Sequence, residues 1–197
     1  MPPAYRNRLV AILVACIASP AHGWGHYYDG GVDAQGAYGV VHPLSDALPN
    51  RRLTPGAIDP RVTQDNIGET ICRPGGYTRS VRPPEEYTER LKREQIAEYG
   101  YSDRHLRGFE ADHLVSLEIG GAPADPRNLW PEPHHVVGGW GSYAKDQLED
   151  RLHTLVCHRR IPLAQAQYEI ATNWIEAYKR YIGPTPNVRR RHRKYGW

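Results

Sequence analysis

The stretch Asp112-His113-Leu114-Val115-Ser116-Leu117-Glu118-Ile119-Gly120-Gly121, followed after a polar loop by Asn128-Leu129-Trp130-Pro131, constrains this chain most. Leu114, Val115, Leu117 and Ile119 meet no breaker until the two glycines. That pattern predicts a short, mostly buried strand from Phe109 to Ile119 that ends in a turn. Asn128 to Trp130 starts its return partner, and Pro131-Glu132-Pro133 predicts a turn that ends the partner early. Neighbouring strand residues point to opposite faces, so Asp112 and His113 diverge unless the strand is bulged or only beginning there. A divergent carboxylate and imidazole can divide labour, one holding a metal while the other activates water. The plainer alternative is an Asp capping a surface turn beside a hydrogen-bonded His.

Read as a unit, Asp-His, a short apolar run, Gly-Gly, a loop holding Asp125-Pro126-Arg127 and then Asn128-Leu129 resembles the HNH (His-Me finger, ββα-metal) endonuclease motif. The wider run from Thr54-Pro55-Gly56 to about Gly183 is similar to a group of secreted bacterial HNH-type proteins, through Thr70-Ile71-Cys72, Val81-Arg82-Pro83 and Lys145-Asp146 through Cys157. The resemblance implies that His113 is the general base and that Asp112 holds a metal. It also implies that Asn128 braces the hairpin loop and that the next helix supplies a further ligand. Where the family usually has His or Asn at the start of that helix, this chain has Gly141 and Ser142.

That helix is predicted at about 143–157, with Ser142 as its cap and Leu148, Leu152 and Leu155 as its buried stripe. Lys145, Asp146 and Glu149 share another side, since spacings of three and four bring side chains together. Asp146 is the first candidate for the helix-side metal ligand and Glu149 the next, and Lys145 is placed to contact the scissile phosphate. An ordinary salt-bridged surface is the alternative reading of the same spacing. His134-His135 is either an exposed pair in a Gly-rich loop or a source of one imidazole ligand.

The chain opens like an export signal. Arg6 and Arg8 precede an apolar run from Leu9 to Ala18, and Ala21-His22-Gly23 offers small residues for cleavage. The run is too short to span a bilayer as a helix, which takes ~20 residues. Leu13-Val14-Ala15-Cys16 also resembles a lipoprotein signal, in which Cys16 would carry lipid. Both readings place the protein outside the cytoplasm, secreted or periplasmic in the first and lipid-anchored in the second. Of three cysteines, Cys72 and Cys157 then remain as a pair in an oxidising compartment, which predicts a disulfide between them. A thiolate metal site is the competing reading, without the close paired spacing of zinc knuckles.

Organisation follows from punctuation. Residues 1–23 are read as the signal peptide and 24–53 as a flexible N-terminal arm without periodicity. Residues 54–184 form the nuclease-like domain, and 185–197 a basic tail. Pro83-Pro84 before Glu85-Glu86 predicts a helix to about Tyr99, with Tyr87, Leu91 and Ile96 facing inward. Pro162 opens a last helix to about Ile182, with Leu163, Ala166, Ile170, Trp174, Ala177 and Tyr181 as its core side. The tail Arg189-Arg190-Arg191-His192-Arg193-Lys194 can grip phosphates without reading sequence, or serve as a solubilising end or a membrane-surface contact. A formal net charge of +3 means that nucleic-acid affinity must come from local patches, for which Arg79, Arg82, Arg104 and Arg107 are candidates.

The expected fold is a small α+β domain: a ββα-metal (HNH) core hairpin plus helix, flanking helices and one disulfide. The expected function is a secreted, metal-dependent endonuclease acting on DNA, or on RNA, with a divalent ion (Mg²⁺, or Mn²⁺ or Zn²⁺). Two other classes stay open. One is a non-catalytic secreted module that binds nucleic acid or the envelope through the same fold. The other is a metal-dependent hydrolase of a non-nucleic substrate.

Overall fold

Residues 40–186 are described by a computed structural model, and the signal segment, Cys16 and the basic tail lie outside them. The fold is α+β. Among the described residues there are four α-helices, α1 (Tyr77–Val81), α2 (Glu85–Glu98), α3 (Ser142–Cys157) and α4 (Leu163–Tyr181), and an antiparallel ribbon of β1 (Phe109–His113) and β2 (Leu129–Pro133), against which α2 packs. No helix among the described residues is long and apolar enough to cross a membrane.

β1 stops at His113 rather than running to Ile119, and the reason lies across the loop. Leu114 N–H still donates to the Asn128 carbonyl at 2.8 Å, but Val115 N–H donates to the Asn128 side chain (Oδ1, 2.9 Å). A side chain has replaced the next strand residue, so the chain turns into a 3₁₀ turn at Leu117–Ile119. Asp112 and His113 therefore close the strand instead of opening it. β2 in turn runs through Pro131 and Pro133, which were expected to end it. The ladder places Asp112 opposite Trp130 and Ala111 opposite Pro131. Leu114 N–H to Asn128 and His134 N–H to Gly108 (2.9 Å) show that even-numbered residues of β1 make the hydrogen-bonded pairs. Both prolines thus occupy positions whose nitrogen faces away from the partner, where a missing donor costs nothing.

The outward carbonyls of this narrow ribbon are met by side chains. Lys92 of α2 donates to the Phe109 carbonyl (3.2 Å) and Gln95 to that of Leu129 (2.6 Å). These two residues and Ile96 form the buried side of α2, while Tyr87 and Leu91 stay half-buried. Ile96, Tyr101 and Phe109 make a small apolar cluster on this side.

The larger core lies between α3 and α4. Leu148, Leu152 and Val156 recur every four residues on α3, and each is fully buried. Each such burial contributes about 1.5–3 kcal/mol. Leu155, expected in that stripe, is only half-buried. Leu163, Ala166, Ile170, Trp174 and Ala177 complete the core from α4. α4 is interrupted at Asn173, whose extended backbone breaks the helix and whose Oδ1 accepts from Glu176 N–H (3.2 Å), capping the second half.

Residues 40–53, expected as part of a loose arm, pack on this core. His42 and Ala47 are buried, and Trp174 Nε1 donates to the Ala47 carbonyl at 2.7 Å. Cys72 and Cys157 form a disulfide that ties the end of α3 to the segment before α1.

Candidate functional site

The turn after β1 is built by small residues with no substitute. Gly120 adopts φ +77°, a region that L side chains rarely enter. A Cβ on Gly121 would lie 1.7 Å from the Val115 carbonyl oxygen, so the chain can pass there only without a side chain. Asn128, fully buried, then ties the loop together: besides holding Val115 N–H, its Nδ2 donates to the carbonyls of Val115 (3.0 Å) and Ala122 (3.1 Å).

This brings the Pro123 carbonyl to 2.8 Å from His113 Nε2. A carbonyl only accepts, so Nε2 carries the proton and the lone pair resides on Nδ1. Nδ1 has no hydrogen bond among the described residues, and the residue as a whole is buried, with 5% exposed. Burial of the ring holds its pKa below the ordinary value, partly opposed by the Pro123 hydrogen bond and the Asp112 charge. The imidazole is neutral at pH 7.

Asp112 faces the other way, toward α3. Its Oδ2 accepts from Lys145 Nζ at 2.6 Å and from Trp130 Nε1 at 3.3 Å. Lys145 is buried to 1% exposure and also donates to the His113 carbonyl (2.9 Å) and to Glu149. An ammonium has three donors, and all three are committed. Lys145 is therefore not available to a phosphate, contrary to the expectation from the sequence. Burial alone would lower its pKa, but Asp112, Glu149 and Glu132 outweigh that and hold it well above the usual value.

Two acids that the sequence reading passed over complete the cluster. Glu110 and Glu132 face each other across the ribbon, on the Asp112 side. Like charges directly opposite destabilise a sheet. Glu132 is buried and its Oε1 has no hydrogen-bond partner among the described residues; burial, then Asp112, raise its pKa well above the carboxylate range. Glu149 is raised for the same two reasons, against the pull of Lys145. Glu110 is pushed up to about 7 by burial, then by Asp112 and Asp146. A signal existed in the sequence: Glu110 is two residues before Asp112, hence on its face of a strand.

Asp112, Asp146 and Glu149 were expected to hold a divalent ion. Their oxygens are hard donors of the right kind, and Asp112 and Glu149 do converge, but on the Lys145 ammonium. As arranged, the donors fit a built-in monovalent cation and not a divalent ion at that point. Asp146 is half-buried beside them and is felt by Glu110 and Glu149. Ser142 does not cap α3: Gly141 precedes the helix, and Ser142 Oγ instead meets His134 Nδ1 at 2.8 Å. His134 stacks on Tyr143 and is half-buried, and the His135 carbonyl accepts from His42 N–H.

Among the basic candidates, Arg82 at the end of α1 is exposed and close enough to act on both His113 and Glu110. Arg79 is exposed one turn earlier, and Arg104 and Arg107 are exposed near the start of β1, the end away from His113. Among the described residues, the His, Cys and carboxylate groups whose ligand atoms gather at metal-binding distance are Cys72, His153 and Cys157, two of which are joined in the disulfide. Comparison with protein-family models, curated proteins and solved structures finds no match to this chain.

Proposed function

We propose that this chain is an exported hydrolase of nucleic-acid phosphodiester bonds, DNA or RNA, in which His113 deprotonates the attacking water. One observation carries the reading: His113 is pinned through Nε2–H to the Pro123 carbonyl and kept neutral, with its lone pair left on Nδ1. That is the equipment of a general base near neutral pH, at the residue where the resemblance to HNH endonucleases puts one. Asn128 keeps the loop, and with it the Pro123 carbonyl, in position. Among the described residues, Arg82 is an exposed cation close enough to His113 to meet the phosphate, whose charge grows during attack. Lys145 acts from inside, neutralising Asp112 and anchoring the His113 carbonyl. No step is assigned to a divalent ion.

The test is cleavage of supercoiled plasmid and of single-stranded RNA by the wild type and His113→Ala, each with and without EDTA. His113→Ala should lose about 10²–10⁴-fold in rate, and wild-type cleavage should survive EDTA. Equal cleavage by the two proteins removes His113 from the role.

The second reading is a secreted module that binds nucleic acid or the envelope and keeps the hairpin only as a scaffold. It is favoured by the Lys145 ammonium occupying the point where the resemblance implies a metal. Retention of labelled DNA without cleavage selects it.

A further inference from the structure

Cys72, His153 and Cys157 meet at the far end of α3 from the acidic cluster. One ligand atom from each lies within 4.8 Å of the other two. His153 and Cys157 are four residues apart on one helix, hence on one face, and Cys72 is carried to them by the segment before α1. All three are half-buried, so an ion could reach them while the surroundings still exclude most water. The His153 ring is already oriented: its Nε2 donates to the Ile71 carbonyl at 2.9 Å, which leaves the lone pair on Nδ1. An imidazole held by a carbonyl through its other nitrogen is how protein ligands to transition metals are commonly fixed.

We infer that opening the Cys72–Cys157 disulfide converts this corner into a zinc site with two thiolates and one imidazole. The chemistry balances with a dithiol as reductant. The dithiol gives up two electrons and two protons and closes into its own disulfide, while the S–S bond between Cys72 and Cys157 breaks to two thiols. Binding of Zn²⁺ then releases the two thiol protons and forms two Zn–S bonds and one Zn–N bond. The fourth tetrahedral position is left to water. Two sulfurs and a nitrogen select a soft or borderline ion over Mg²⁺ or Ca²⁺. Re-oxidation by a small-molecule disulfide, which takes up the two electrons and is cleaved to two thiols, re-forms the Cys72–Cys157 bond, removes both thiolates and expels the ion. The same two cysteines therefore hold the chain covalently in an oxidising setting and through an ion in a reducing one.

The experiment uses the purified chain, oxidised or reduced with a phosphine and kept anaerobic, titrated with Co²⁺ and then Zn²⁺. The reduced protein should take up one Co²⁺ with a sulfur-to-cobalt charge-transfer band that Zn²⁺ abolishes, and Zn²⁺ should raise its melting temperature. The oxidised protein should show neither response. His153→Gln folds around the intact disulfide before reduction, so it separates ligand loss from misfolding. It should bind more than ~100-fold more weakly, since losing even an outer partner of a ligand costs about 10–100-fold. Absence of the thiolate band, undiminished affinity in His153→Gln, or a reduced chain that Zn²⁺ neither stabilises nor refolds would each overturn the assignment.

Discussion

Replacing Lys145 with methionine keeps an unbranched side chain, one heavy atom shorter, and removes its charge. In the wild type the ammonium is held by Asp112 at 2.6 Å, by the His113 carbonyl at 2.9 Å and by Glu149, with 1% of the residue exposed. Its removal leaves Glu149 and the His113 carbonyl buried without this donor and Asp112 with only the Trp130 N–H, and breaking a buried ion pair from one side costs about 3–5 kcal/mol. For a domain of this size each kcal/mol moves the melting temperature by about 2–4 °C, so a fall of roughly 6–20 °C is expected. The pH dependence has a definite sign. Without the ammonium, which pulls both down in the wild type, the folded chain holds the pKa of Glu132 and Glu149 further above their unfolded values. Stability is then fully present below the unfolded carboxylate range and is lost as pH rises through the folded values. The deficit of Lys145→Met should therefore be smallest near about pH 5 and larger near about pH 8. Adding Glu149→Met should recover part of the loss, because removing both partners is milder than removing one. The assay is thermal unfolding followed by circular dichroism across that range. A single mutant that melts within about 2 °C of wild type at neutral pH, or a deficit indifferent to pH, would refute the claim that this lysine is the charge the acids are arranged around.

Asn128→Ala removes a side chain that satisfies one N–H and two carbonyls in the loop. Each buried group left unpaired costs about 1–3 kcal/mol, so a loss of at least about 3 kcal/mol is expected in urea unfolding, together with loss of any His113-dependent activity. Tyr99 is pushed up to about 12 by burial, while its hydrogen bond to Thr54 pulls the other way. A raised folded pKa means stability is intact below the unfolded value of 10.0 and lost above it. The loss amounts to about 1.4 kcal/mol per unit of pH. Phenolate absorbance should show Tyr99 titrating late, near the alkaline unfolding transition, as should buried Tyr101; Tyr99→Phe should reduce the amplitude of that late step by one tyrosine.

Helical spacing made Leu148, Leu152 and the α4 core side readable from the sequence, and cysteine count made the disulfide readable. What stayed hidden depended on contacts remote in the chain. Nothing near Val115 announces that its N–H will be met by an asparagine thirteen residues later, so β1 read too long. Pro131 and Pro133 look like breakers until the ladder shows both nitrogens facing outward. Glu132 was lost with them inside an expected turn. A lysine at a helical position is mostly exposed, so burial of Lys145 had no local sign. His42 and Ala47 lie in a stretch without periodicity and are buried because Val136, Trp174 and the 134–137 loop receive them.

Lys145, Glu149, His153 and Cys157 follow one another at four-residue steps, a gently winding line about 18 Å long on α3. One end of that line is clamped to the ribbon and the other is bolted by sulfur to Cys72. A rod fixed at both ends cannot roll. Neighbours such as Asp146 and Asp150 have no route to the position that Glu149 holds, however the surface around them changes. Any reshaping of this centre, by evolution or by design, must therefore exchange side chains along that one seam rather than turn the helix.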